Sequence, residues 1–248
     1  TLVSDRNVPV EPGARREAVA DGLEHPWAMA WLPDGAILVT ERPGRLRLVR
    51  DGRVDPTPIA GVPEVFAQNQ GGLLDVALHP RFAENRLVYL TYSHGTAEAN
   101  RTRVARGRLV EHRLEDVEVS FEVGQAKPGG AHFGSRLAWL PDGTLLVSIG
   151  DGGNPPTSLD GRLIRENAQD LSSHLGKIVR LRDDGTVPPD NPFGGRPGVA
   201  RGVWSMGHRN IQGLAADRAR GVVWAPEHGS LGGDELNRVS AGANAGWP

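Results

Sequence analysis

The same five residues, Trp-Leu-Pro-Asp-Gly, occur twice in this chain, at 31–35 and at 139–143. Each copy is flanked by apolar segments, which in the first case are residues 27–31 and 36–40. A Pro-Asp-Gly step between two apolar segments is typical of a β-hairpin. Because the hairpin recurs with an identical turn, the sequence predicts a fold assembled from repeated units of short strands.

Related units fill the rest of the chain. Residues 45–50 alternate basic and apolar side chains, as a half-exposed strand does. The other predicted strands are 72–80 with 87–92, the two halves of 137–149, 176–182, 213–217 with 222–225, and 235–239. The longest insertion lies between Gly152 and Ser173.

These units predict an all-β fold, a β-propeller with about four repeats visible in a single domain over residues 1–248. The content of 33 glycines and 19 prolines agrees with many tight turns. A β-sandwich built from similar hairpins is the alternative. The identical Trp-Leu-Pro-Asp-Gly pair favours the propeller.

Composition excludes several classes of function. The 28 basic and 30 acidic residues give a net charge of −2 without long runs of either sign, so we expect no nucleic-acid partner. No apolar stretch approaches the length of a membrane span, and no charged and apolar leader precedes the repeats, so we expect a soluble or already processed chain. The absence of cysteine excludes disulfides, thiolate metal sites and a cysteine nucleophile.

His132 and Asp151 are the first candidates for chemistry. His132 lies in a glycine-rich segment before the strand at 137, and Asp151 follows the next strand. If the two strands form a hairpin, both side chains lie at the same rim of a sheet. A histidine there can accept a proton near neutral pH, and a carboxylate can orient it. A purely structural histidine is the alternative, and it is the stronger one for His132 considered alone.

Three other polar segments lie at strand ends. Residues 207–213 carry Arg209 and Asn210, suited to an anionic ligand, although a solvated polar turn is equally consistent. Residues 227–235 combine carboxylates with glycine backbone, whose oxygens could bind calcium. Without the spacing of a hand-type calcium loop, an acidic surface turn is the simpler interpretation of this segment. Residues 69–72 include Gln70. A propeller gathers such strand ends around one channel, so their convergence favours a site.

The chain resembles the soluble quinoprotein sugar dehydrogenases, and most of all their aldose sugar dehydrogenase branch in the glucose/sorbosone dehydrogenase family. The motifs that carry the resemblance appear in family order and cover nearly the whole chain. They are residues 69–75, 131–137, 176–181, 190–193, 207–210, 234–237 and 244–248.

The resemblance implies a propeller of about six blades, bound pyrroloquinoline quinone (PQQ) and calcium. It also implies oxidation of an aldose at C1 to a lactone, with hydride passing to the quinone and electrons leaving to an external acceptor. His132 matches the general base and Asp151 the carboxylate that orients it. Arg209 and Asn210 match residues that contact the quinone and stabilise the charge that develops on it. Gln70 matches a side-chain amide on the substrate and cofactor side of the site.

The resemblance also assigns metal ligands. The main-chain carbonyls of Gly229 and Ser230 match the pair that binds the cofactor's calcium, and Ser230 stands where family members often have proline. Glu235 with the carbonyl of Ala245 matches a second, structural calcium, and Asp234 is close by.

Two departures from the family bear on function. Ala131 replaces an aspartate of the glucose dehydrogenase branch, which argues against strict glucose specificity. Family members also continue for roughly two more blades after the Gly-Trp-Pro motif, so we expect the sequence to lack C-terminal blades.

The leading hypothesis is therefore a PQQ-dependent aldose dehydrogenase acting in the periplasm or as a secreted protein. A non-catalytic propeller that binds a carbohydrate or a protein partner through the same rim is the alternative.

Overall fold

The repeated Asp-Gly turns share one local geometry. In the computed structural model, which describes Gly13, Arg15 and residues 17–248, Gly35 N donates to Leu32 O at 3.0 Å. Gly143 N donates to Leu140 O at 3.1 Å, and Gly185 N to Arg182 O at 3.0 Å. All three glycines have φ between +81° and +87°, where side chains other than glycine are strained. The turns at Gly35 and Gly143 each join two successive antiparallel strands within one sheet, and the two sheets are different.

The first sheet is the hairpin unit that the sequence predicts, extended at one edge. Its strands pair in the order β1-β2-β3-β4, antiparallel throughout. They are β1 (Pro26–Trp31), β2 (Ile37–Glu41), β3 (Arg45–Arg50) and β4 (Arg53–Val54).

The second sheet is larger than predicted, because two of its strands were not recognised. It pairs in the order β5-β6-β7-β8, and a one-turn helix α1 (Phe82–Asn85) joins its first two strands. The strands are β5 (Leu73–Leu78), β6 (Leu87–Gly95), β7 (Asn100–Val110) and β8 (Arg113–Glu122).

The third sheet contains the candidate site and the insertion. The insertion forms a small hairpin of β11 (Ser158–Leu159) with β12 (Arg162–Leu163), followed by a 3-10 helix at Ile164–Gln169. A second 3-10 helix, Gly198–Gly202, precedes the sheet's last strand, which was not predicted. The sheet itself consists of β9 (Leu137–Trp139), β10 (Leu145–Ile149), β13 (Lys177–Leu181) and β14 (Val203–Met206).

The fourth sheet has three strands, β15 (Ala215–Asp217), β16 (Val222–Glu227) and β17 (Glu235–Val239). The first strands of neighbouring sheets contact one another in the order β1, β5, β9, β15. Sheets that meet in sequence through their first strands form the blades of a propeller. The predicted all-β propeller with four visible repeats is therefore confirmed.

A separate apolar core fills each space between neighbouring sheets. Leu38, Leu73 and Leu90 belong to the core between sheets 1 and 2. The core between sheets 2 and 3 includes Tyr89, Trp139 and Val179. The core between sheets 3 and 4 includes Leu146, Ile178 and Val223. Burial between blades thus joins segments that are far apart in sequence and holds the strand ends at fixed positions.

The two tryptophans of the repeated motif have different environments. Trp139 is only 8% exposed, and its ring packs edge to face on Tyr89 of sheet 2, with ring centroids 5.0 Å apart. Trp31 is 60% exposed, since no described sheet covers that side of sheet 1. The same residue in the same turn is therefore buried only where a neighbouring blade packs against it.

The domain prediction began at residue 1, and residues 1–12, 14 and 16 lie outside the described part of the chain. Within that described part, no helix is both long enough and apolar enough to span a bilayer.

Buried hydroxyl groups link each sheet to the next. Thr40 in β2 donates to Leu74 O, Thr91 in β6 to Ser135 O at 2.7 Å, and Ser148 in β10 to Ile211 O at 2.9 Å. All three side chains are fully buried. Each therefore satisfies a carbonyl of the following blade that water cannot reach.

We expect Thr91→Val to lower the free energy of unfolding by about 1–3 kcal/mol, the usual cost of leaving buried polar groups unsatisfied. Valine keeps the shape but leaves Ser135 O and the Asp75 N–H, which donates to Thr91 Oγ1 at 2.8 Å, without partners. Urea titration measures the change. Thr57→Val, at an exposed position, is the matched control and should change stability by less than about 0.5 kcal/mol.

Candidate active site

His132 lies in a loop that is packed tightly against the end of β10. A Cβ atom added at Gly150 would lie 2.1 Å from His132 O, so only glycine fits beneath the loop. His132 itself has φ +49°, a left-handed conformation that non-glycine residues seldom adopt. Neighbouring contacts hold it there, including Ser135 N donating to Ser148 O at 2.7 Å. Strained backbone of this kind is often found at functional sites.

The structure brings His132 and Asp151 into direct contact, as their positions at strand ends predict. Nδ1 of His132 lies 2.6 Å from Oδ1 of Asp151, and the two side chains are 3% and 0% exposed. Gln70 Oε1 accepts the main-chain N–H of His132 at 2.9 Å. Nε2 of His132 has no hydrogen-bond partner among the described residues, and it is not fully enclosed, although the side chain as a whole is buried. With Nδ1 holding its proton toward Asp151, Nε2 is left as a proton acceptor.

Both oxygens of Asp151 accept further hydrogen bonds. Oδ1 also accepts from Gly153 N at 3.1 Å, and Oδ2 accepts from Trp247 Nε1 at 2.8 Å. The main-chain N–H of Asp151 donates to Arg209 O at 2.8 Å. The carboxylate is therefore fixed in the geometry that orients the His132 ring.

Arg209 is a buried cation without a carboxylate. Its side chain donates to His228 O at 3.0 Å and to Asn154 Oδ1 at 2.9 Å, and no acidic group of the described residues pairs with the guanidinium. Nε is buried and has no hydrogen-bond partner in the part of the chain that the structure describes. A buried charge of this kind is costly unless a ligand neutralises it.

Asn210 has a supporting position. Its side chain is 3% exposed, and Oδ1 accepts the main-chain N–H of Gly134 at 3.0 Å. The amide thus holds the loop that carries His132. The predicted cofactor contact of Asn210 stays a prediction.

A cavity of about 290 Å³ lies beside Arg209, between the fourth sheet and the C-terminal motif. Four of the five predicted metal-binding residues line it: Gly229, Ser230, Glu235 and Ala245. The fifth, Asp234, accepts the main-chain N–H of Gly229 at 2.9 Å through Oδ1. Trp247 lines the same cavity. The structure thus gathers the predicted metal-binding residues at or beside one cavity next to Arg209, and Trp247, which lines that cavity, also hydrogen-bonds Asp151.

A second histidine–carboxylate pair was not recognised in the sequence. His208 Nδ1 lies 2.6 Å from Glu227 Oε1, and the sequence separation, 19 residues, equals that between His132 and Asp151. Here Nε2 is occupied by Ser205 Oγ at 2.8 Å, and Glu227 Oε2 accepts the main-chain N–H of Arg209. Aligning the segment around 132–151 with the segment around 208–227 would place His208 and Glu227 opposite His132 and Asp151, since both pairs are 19 residues apart. Its capped Nε2 makes it a support for Arg209, not a base.

Lys127 is a buried cation behind the His132–Asp151 pair. Its Nζ lies 4.1 Å from the centre of the Phe133 ring and 3.2 Å from Gly129 O. Burial lowers the pKa of this lysine to about 8, and the attraction of Asp151 opposes that shift. No sequence signal identified Lys127, since its neighbours come together only in the fold.

We expect Lys127 to make stability depend on pH between about 8 and 10.5, its ordinary pKa. Below pH 8 both states carry the charge and the burial cost is complete. As the pH rises above 8, the folded state loses the proton first, so the cost diminishes and stability rises. Relative to Lys127→Met, the free energy of unfolding of the wild type should gain roughly 3 kcal/mol over this range, by denaturant titration at each pH. A difference that does not vary with pH would contradict the assignment.

Comparison with known proteins assigns the class and then the family. The chain is 35% identical to the PQQ-bound aldose sugar dehydrogenase from Streptomyces coelicolor, with a TM-score of 0.78 over 94% of this chain and 65% of that one. The profile of the glucose/sorbosone dehydrogenase family matches residues 23–248. The chain belongs to this family, as the sequence motifs predict.

Two curated relatives agree with this assignment. The aldose sugar dehydrogenase YliI of Escherichia coli (strain K12) is 41% identical over 236 residues, covering 94% of this chain and 61% of that protein. An uncharacterized protein of Synechocystis sp. is 65% identical over 246 residues, covering 96% and 60%. The chain therefore spans about 60% of the length of these relatives.

Proposed function

We propose that the protein is a PQQ-dependent aldose dehydrogenase that oxidises the C1 hydroxyl of an aldose to a lactone. His132 acts as the base, Arg209 stabilises negative charge on the cofactor, and calcium assists. An external acceptor takes the electrons. The observation that carries the proposal is a histidine whose Nε2 has no partner among the described residues and whose Nδ1 is held by Asp151. The main-chain N–H of Asp151 donates to Arg209 O, and no described carboxylate pairs with the buried Arg209 guanidinium.

The residues around Arg209 fit an anionic quinone. PQQ carries three carboxylates, and the unpartnered Nε of Arg209 is a buried donor that a polar ligand can satisfy. The guanidinium can bind carboxylate or quinone oxygen with charge-assisted hydrogen bonds. The named PQQ-bound relative supports the same choice of cofactor.

The donor chemistry of the cavity fits calcium. Calcium takes carboxylate and carbonyl oxygens in flexible geometry. The residues expected to bind the cofactor's calcium, Gly229 and Ser230, and those expected to bind a second, structural calcium, Glu235 and Ala245, all line the cavity. In residues 17–248 together with Gly13 and Arg15, no group of three or more His, Cys, Asp or Glu side chains could hold a metal. Calcium binding would therefore depend on main-chain oxygens.

The roles of the side chains follow from their contacts. His132 Nε2 would remove the proton from the C1 hydroxyl, while Asp151 accepts a hydrogen bond from Nδ1–H and stabilises the imidazolium that forms. Gln70 and Asn210 hold the backbone on either side of His132, so the ring keeps its position. PQQ, when bound, supplies the acceptor for the hydride from C1. His228 O and Asn154 hold the Arg209 guanidinium in place beside the cavity, where it would stabilise negative charge on the bound cofactor.

Reconstitution tests the proposal. Purified protein supplied with PQQ and calcium should reduce a dye in the presence of an aldose, and omission of either PQQ or calcium should abolish the reaction. No turnover with any member of an aldose panel would overturn the assignment. If the protein binds sugar but shows no turnover and no bound quinone chromophore, the non-catalytic propeller is favoured instead. We also propose action in the periplasm or outside the cell, which fractionation of the native host tests.

A further inference from the structure

Trp247 lies where three parts of the candidate site meet. Its indole N–H donates to Oδ2 of Asp151 at 2.8 Å. Its ring lines the cavity and lies 5.6 Å from the guanidinium carbon of Arg209. No other described side chain both hydrogen-bonds Asp151 and lines that cavity.

The indole holds one side of the Asp151 carboxylate. Oδ1 accepts from His132 Nδ1 and Gly153 N, and Oδ2 accepts from the Trp247 N–H. The carboxylate plane is therefore held at both oxygens, and loss of the indole N–H would leave Oδ2 unrestrained. Because Asp151 is fully buried, water cannot replace the indole as a donor without a change in packing.

The backbone of Trp247 is fixed independently of the site. Its N–H donates to Gly207 O at 3.0 Å, and its carbonyl accepts from Gln169 Nε2 at 2.6 Å. Gln169 is itself held by Asn244 Nδ2 at 2.7 Å. The backbone of Trp247 is therefore held by the 3-10 helix of the insertion and by Gly207, which directly follows β14, and not by the residues that the indole orients.

We infer that Trp247 is a positioning residue for the His132–Asp151 pair. Its N–H holds the carboxylate plane, the carboxylate holds the imidazole through Nδ1, and the position of Nε2 is thereby fixed. The ring packs near Arg209 and the cavity, so a planar ligand in the cavity would contact the same side chain that sets the base. The kinetic part of this inference rests on the proposed function.

One atom distinguishes positioning from simple packing. Replacing Trp247 by 3-benzothienylalanine exchanges the N–H for sulfur and keeps the size of the ring. The same replacement at Trp224, which lies in β16 and is 39% exposed, is the matched control. Circular dichroism should show that both variants are folded.

The first measurement is the proton resonance of His132 Nδ1–H in protein without cofactor, assigned by its loss in His132→Gln. We expect this low-field signal to move or broaden in the Trp247 variant and to stay unchanged in the Trp224 variant. An unchanged signal in the Trp247 variant would overturn the inference. This measurement needs neither quinone nor sugar, so its outcome does not depend on the proposed function.

The second measurement uses the enzyme loaded with PQQ and calcium. The Trp247 variant should lose about tenfold or more in kcat, as expected for a lost hydrogen bond to a charged group, with KM changed less than about threefold. Unchanged kcat would contradict positioning, and an increase in KM alone would assign Trp247 to ligand packing. If the wild type shows no turnover while the resonance responds, the proposed function fails and the positioning role stands.

Discussion

Replacing His132 by alanine is expected to lower kcat for aldose oxidation by about 10²–10⁴-fold, the usual contribution of a positioned general base. The reason is geometric, because His132 Nε2 has no partner among the described residues while Nδ1 is held by Asp151 at 2.6 Å. The affinity for PQQ should change far less, since the arginine that faces the cavity is untouched. Dye reduction and quinone titration measure the two quantities separately.

Asp151→Asn provides the matched test of orientation. Asparagine keeps the shape but can donate to Nδ1, which favours the tautomer whose proton lies on Nε2. A loss of kcat close to that of His132→Ala is expected. His112→Gln, at a partly exposed histidine whose ring hydrogen-bonds Thr57 O, should leave activity unchanged. Full turnover by His132→Ala would show that another group removes the proton.

Arg209→Met is expected to weaken PQQ binding and to lower kcat by about 10²–10³-fold, as loss of a preorganised charge-stabilising group does. Stability should change little, because the guanidinium has no carboxylate partner among the described residues and its burial already costs free energy. Quinone titration and urea unfolding on the same variant test both statements.

Arg136→Met is the contrasting control. Arg136 Nη1 lies 3.1 Å from Oδ1 of Asp75, and burial raises the pKa of that carboxyl while Arg136 opposes the shift. Removing this arginine leaves a buried charge unpaired, so unfolding should become easier by about 3 kcal/mol with PQQ affinity retained. If Arg209→Met and Arg136→Met lost stability equally, Arg209 would be a structural arginine like Arg136.

The sequence was informative where chemistry is local. The Asp-Gly turns at Gly35 and Gly143 require a positive φ and flank apolar strands, so hairpins and repeats were predictable. His132 and Asp151 follow from this, since strand ends of one hairpin share a rim. The contact at 2.6 Å confirms their predicted proximity.

Other features depend on distant contacts or on weaker patterns. In β7 arginines are interspersed with apolar and small residues, and in β8 acidic residues alternate with apolar ones, a period-2 signal that the strand prediction did not use. Trp247 and Asp151 are 96 residues apart, and no local pattern connects them. The same holds for the side-chain bond from Arg209 to Asn154. Such contacts arise from the packing of blades, which a single repeat does not encode.

Deuterium at C1 of the sugar tests the proposed chemistry most directly. Purified protein loaded with PQQ and calcium is mixed without oxygen with an aldose or its 1-²H form, and the quinone absorbance is followed through one turnover. We expect the aldose to reduce the quinone, the deuterated sugar to react several-fold more slowly, and the deuterium to leave C1 as the lactone forms. A rate independent of the label, deuterium retained in the product, or no reduction by any aldose would contradict hydride removal from C1 at this site.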